Sequence, residues 1–98
     1  MNTSSKMSAR SSSSFRELHR QSMAELFGYG IQESRKEAGL TIEEAAYFSG
    51  MKASEWRAIE EGTVPQEINQ LRAMADAMQI SFDKIANWVL LCRAAWEL

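Results

Sequence analysis

Residues 40–62 read LTIEEAAYFSGMKASEWRAIEEG, and the fold follows largely from them. Thr41 and Glu44 have the spacing of a capping box: the Thr41 hydroxyl can accept from the Glu44 amide while the Glu44 carboxylate reaches back to the Thr41 amide. A helix therefore starts at Thr41. It runs through Ala45, Ala46 and Phe48 and stops at Ser49-Gly50, only about two and a half turns later at ~3.6 residues per turn. After Gly50-Met51-Lys52 a second short helix carries Trp56 and Ile59 on one face and ends near Gly62. Two such helices cross tightly only if the first is small at the crossing and the linker admits a positive φ, and Ala46 and Gly50 meet both needs. Met51, Trp56 and Ile59 are then expected to face inward.

Working outward, Phe15, Leu18, Met23, Leu26 and Phe27 recur at helical spacing, followed by Ile31, Arg35 and Ala38 before Gly39, which caps in the left-handed region. Gly28 and Gly30 are expected to split this stretch into a short leading helix over 15–26 and a first body helix. On the other side, Thr63-Val64-Pro65-Gln66 is a loop, and Ile68, Leu71, Met74, Ala75 and Met78 form the next amphipathic stripe. Ser81 can cap a last helix over 81–97 with Phe82, Ile85, Trp88, Val89, Cys92 and Trp96 along one face. No segment alternates with period two for long enough to be a strand, so the fold is expected to be all-α. Residues 1–14 hold seven serines and almost nothing apolar, which predicts a disordered tail ahead of one domain over 15–98.

Ninety-eight residues suffice for one core and not two. No apolar run approaches the ~20 residues of a spanning helix, and residues 1–20 lack the apolar segment of a secretory signal. A single cysteine, Cys92, makes no internal disulfide and fits a reducing compartment such as the cytoplasm; with a lone His19 it offers neither a zinc site nor a nucleophile pair. No cofactor is expected. The carboxylate pairs Glu43/Glu44 and Glu60/Glu61 diverge around their helices, which argues against acid–base catalysis. The net charge of −2 hides an asymmetry: Lys6, Arg10, Arg16 and Arg20 face only Glu17 in the first twenty residues, so a basic arm precedes an acidic body.

The ordered set Ile31, Arg35, Gly39-Leu40-Thr41, Glu44-Ala45-Ala46, Gly50-Met51, Trp56, Ile59-Glu60-Glu61-Gly62, Leu71, Ala75, Met78, Ile80-Ser81 and Ile85 resembles the Cro/repressor-type, or XRE-like, helix-turn-helix family. The resemblance covers about Phe27 to Ile85 and implies a five-helix lambda-repressor-like domain, with the family-like core over 27–85. It also implies a structural ion pair between Arg35 and Glu60, and a recognition helix that lies in the DNA major groove while the preceding helix points its N-terminus at a phosphate. Carried over by position, the DNA-binding residues are Thr41, Lys52, Ala53, Ser54, Arg57 and Ala58. Lys52 or Arg57 can reach a guanine, Ser54 several bases, and Ala53 a thymine methyl. Positions that family members often fill with glutamine or arginine are Ile42, Ala53 and Ala58 here, and the loop 61–67 has no basic residue. Glu43, Glu44, Glu55 and Glu61 near the groove face work against phosphate contact. Arg16 and Arg20 of the leading arm can supply some of the missing charge, by reaching a backbone or minor groove.

On the last helix, Leu90, Leu91 and Leu98 fall outside the core stripe. A homodimer through Trp88, Leu90, Leu91 and Trp96, with help from Phe15 and Leu18, is one reading; Phe15 and Leu18 covering that patch within one chain is the other. The expected function is a dimeric, sequence-specific transcriptional repressor that occupies a double-stranded DNA operator and has no membrane partner. The alternative is a protein-interaction helix-turn-helix module, antitoxin-like or a co-regulator, with a protein partner.

Overall fold

The computed structural model describes the backbone of residues 3–97 and the side chains of residues 15–94. Five helices follow one another: α1 (Thr3–Glu37), α2 (Ile42–Phe48), α3 (Ala53–Glu60), α4 (Ile68–Met78) and α5 (Phe82–Glu97). There is no strand among the described residues, and no helix is long and apolar enough to cross a membrane. Residues 3–14, expected as a disordered tail, form the first part of α1; the interface roles of Trp96 and Leu98 lie outside the described side chains.

Thr41 starts α2 through both arms of its capping box, the Glu44 amide donating to the Thr41 hydroxyl at 3.0 Å and the Thr41 amide donating to Glu44 Oε1 at 2.9 Å. The turn after α2 closes when the Met51 amide donates to the Ala46 carbonyl at 2.9 Å, with Gly50 at φ 70°. That backbone is open to glycine at no steric cost and strained for a residue with a Cβ, so Gly50 permits the tight crossing of α2 and α3. Ala45 and Ala46 are buried at that crossing. Ser81 accepts from the Lys84 amide at 3.2 Å and caps α5.

The core is built where Trp56, Ile31, Met74 and Ile85 meet, all fully buried, with Phe27, Ile59, Leu71, Met78, Val89 and Cys92 around them. Helix α1 packs on α3, α4 and α5. Its contacts with α5 are antiparallel: the Trp88 ring lies against Gly30, and the Cys92 thiol is 3.5 Å from the Met23 carbonyl oxygen.

Two further expectations are corrected by the structure. Gly28 and Gly30 do not interrupt α1, which runs on to Glu37. They are contact points instead. A Cβ on Gly28 would meet the Ile59 carbonyl oxygen at 2.8 Å and the Glu60 carbonyl closer still, and one on Gly30 would meet the Trp88 ring at 3.2 Å. The burial that these close approaches permit outweighs the roughly 1 kcal/mol helix penalty of each glycine. Second, Phe15, Leu18, Met23, Leu26 and Phe27 are not one stripe. Met23 and Phe27 turn to the core, whereas Phe15, Leu18 and Leu26 are exposed. At ~100° per residue Leu26 and Phe27 cannot share a face, and the core side had to win Phe27 because Ile31, one turn on, is already fully buried.

Candidate nucleic-acid interface

The pose of α3 is set from behind. Arg35 Nε donates to Glu60 Oε2 at 2.6 Å and its Nη2 donates to Glu60 Oε1 at 3.2 Å, a two-pronged pair whose side chains are 10% and 5% exposed. Such a fork fixes direction as well as distance. The Trp56 indole N–H donates to the same Glu60 oxygen at 2.6 Å, and Arg35 Nη1 donates to the Leu40 carbonyl at 2.8 Å. Four residues on three segments thus share one buried network, and Gly28 brings the α1 backbone against the end of α3. Each polar group of this network has a partner, so the charge is held without an orphan.

In front, Lys52, Ser54, Glu55 and Arg57 are exposed along α3, while Ala53 and Ala58 are half-buried. The Lys52 amide donates to Glu55 Oε1 at 2.9 Å, so the Glu55 carboxylate is bound to the first turn of α3. Arg57 Nη2 lies 3.7 Å from Glu43 Oε2, an exposed pair that bridges α3 to α2. Glu44 is taken up in the Thr41 cap. Three of the carboxylates that sequence reasoning set near the groove face therefore have structural partners: Glu44 and Glu55 cap helices, and Glu43 pairs with Arg57. Glu61 is exposed at the end of α3. The Thr41 side chain is also committed to its cap.

The residues expected to bind DNA divide into two groups. Ser54 and Arg57 are exposed on α3 and Lys52 at its N-cap, with Ala53 and Ala58 half-buried; Arg16 and Arg20 lie on α1. Arg16 is exposed. Arg20 is half-buried, 3.7 Å from Glu17, and lines a cavity of about 780 Å³ between α1, the loop after α3 and α5, together with Glu25, Gly62, Val64, Cys92 and Arg93. Trp88, expected at a dimer interface, belongs to its own protomer: it meets the Phe27 ring edge to face at 6.4 Å and abuts Gly30. Leu90 and Leu91 are each 57% exposed, and Phe15 and Leu18 are exposed too, so among the described residues these two do not cover that patch. Cys92 is buried at 4% exposure, and burial raises its thiol above the ordinary 9.0.

Sequence reasoning missed Trp56 as a donor to Glu60, the Glu43–Arg57 pair and the role of Gly28. The first was within reach, since four residues along a helix bring two side chains together. The other two needed the crossing angle between helices, which no local spacing encodes.

With this geometry in place, the helix-turn-helix domain family model matches residues 26–88 of the chain. The chain belongs to the helix-turn-helix domain family. Neither a curated protein nor a solved structure matches it. Membership in this family supports a DNA-binding regulator, and the family is typically non-enzymatic. No group of metal-ligating side chains is present among the described residues.

Proposed function

We propose that this helix-turn-helix protein is a sequence-specific, dimeric transcriptional repressor that inserts α3 into the major groove of an operator and blocks access to it. One observation carries the reading: Ser54 and Arg57 stand exposed on α3, and Lys52 at its N-cap, while the helix is fixed from behind by Trp56 and the Arg35–Glu60 fork. A recognition element has to be rigid on the protein side and free on the DNA side, because base readout depends on placing a few donors within hydrogen-bond range of base edges. Lys52 and Arg57 supply donors for a guanine, and Ser54 adapts to several bases. With no ligand domain in the family-like core, occupancy is set by concentration and by a partner. Two-fold symmetry suits the task, since it offers two recognition helices to a palindromic site.

A second reading, a protein-interaction module, draws on Glu43, Glu55 and Glu61, exposed on α2, on α3 and at its end, and on Tyr47 and Phe48, exposed side by side on α2 with ring centroids 5.6 Å apart. Labelled DNA from the region upstream of the coding sequence, titrated against mixed-sequence competitor, separates the two. Binding that survives competitor supports the repressor. Absence of binding at low salt by the folded protein moves the function to the interaction surface.

A further inference from the structure

We infer that the outer face of α1 is a self-association surface, on which a second copy of this chain pairs antiparallel about a two-fold axis at Ser22. Such a surface serves the dimeric regulator proposed above and rests on that reading only for its purpose.

The face is defined by Phe15, Leu18, Ser22, Leu26 and Tyr29. At ~100° per residue the five fall within an arc of about 80°, roughly 140° around the helix from the inward residues Met23, Phe27 and Ile31. Their exposures are 76% for Phe15, 60% for Leu18, 63% for Leu26 and 59% for Tyr29, so four large apolar side chains stand open on one helix face among the described residues. Helix α1 therefore has two apolar faces, one spent on the core and one left outward. Single exposed apolar residues are ordinary on a protein surface; a periodic row of them on one helix is the pattern of a helix that packs against another.

The spacing says which partner. Counted from Ser22, the apolar positions lie four and seven residues away in both directions. A two-fold interface must be self-complementary, each residue meeting a partner position that meets it in return. Antiparallel pairing about Ser22 sets Phe15 against the partner's Tyr29 and Leu18 against the partner's Leu26, and brings the two small serines together where the helix axes cross.

The four side chains present on the order of 500 Å² per copy, about 1,000 Å² for two, the lower end for a specific interface.

The test is sedimentation equilibrium of the full chain at tens of micromolar, for the natural sequence, Leu18→Glu, Leu26→Lys and the double variant, with circular dichroism to establish that each is folded. Both positions are exposed, so the monomer fold is expected to stand. The expected result is a dimer for the natural chain, self-association weakened about tenfold or more in each single variant, and recovery in the double variant, where the carboxylate introduced at position 18 faces the ammonium introduced at position 26 of the other copy. A natural chain that is monomeric, or a dimer indifferent to both single substitutions, overturns the inference. A double variant no better than the singles overturns the antiparallel register. DNA binding measured on the same samples keeps the two proposals apart: a monomer that binds DNA overturns this inference alone, and a dimer without DNA affinity supports it while overturning the repressor.

Discussion

Gly28 of α1 and the Glu60 carbonyl at the end of α3 lie so close that a Cβ has no room between them, the Ile59 carbonyl oxygen also being 2.8 Å from where that Cβ would stand. The obstacle is backbone, which cannot swing aside as a side chain can. Gly28→Ala is expected to cost about 2 kcal/mol or more despite the better helix propensity of alanine. Gly30→Ala meets only the edge of the Trp88 ring at 3.2 Å and is expected to cost much less. Urea denaturation of both variants checks the contrast, and equal stabilities would show that α1 does not rest on α3 at Gly28.

Glu60 accepts from both Arg35 and Trp56 inside the fold, so its removal strands two buried donors at once. Glu60→Ala is expected to lower stability by about 3 kcal/mol or more, because an uncompensated buried cation is far costlier than a lost surface pair. A Tm equal to that of the natural chain would contradict this role.

The network also marks where sequence reading stops. The helical class, the start of α2 at Thr41, the turn at Gly50 and the cap at Ser81 were legible because each is set by residues within a few positions of one another. The Arg35–Glu60 partnership came from resemblance, not from spacing, since the two residues are 25 apart. Gly28 and Gly30 misled for a physical reason: as local signals they weaken a helix, and only the neighbours that press on them, Glu60 and Trp88, explain why a helix keeps them. At the candidate interface, the exposed set Lys52, Ser54 and Arg57 was legible. The pairing of Arg57 with Glu43 was not, because it depends on how α2 and α3 cross.

That pairing has a consequence for affinity. Glu43 competes with phosphate for the Arg57 guanidinium and adds repulsion of its own. Glu43→Gln is expected to tighten DNA binding severalfold while changing stability by less than about 1 kcal/mol, as the pair is exposed. Unchanged DNA affinity would place Glu43 away from the duplex.

Burial raises the Cys92 thiol above 9.0, and the protonated form is the one the fold favours. The folded state therefore holds its proton more tightly than the unfolded chain. The contribution is complete below the unfolded value and is lost as pH rises through the folded value. Alkylation of Cys92 at neutral pH is expected to be at least about tenfold slower in the folded protein than in urea, with stability falling as pH climbs past 9.0. Equal alkylation rates would mean that α5 frays readily from α1 at Met23.

The most direct measurement of the central claim is the salt dependence of DNA affinity for the natural chain and for Arg57→Ala, read by fluorescence anisotropy on upstream DNA with mixed-sequence competitor present. If α3 enters the groove, the natural chain binds with a steep salt slope, and Arg57→Ala weakens binding about tenfold at unchanged Tm, the loss of one base or phosphate contact of about 1–3 kcal/mol. Identical affinity and slope for the two proteins would contradict the placement of α3 on DNA.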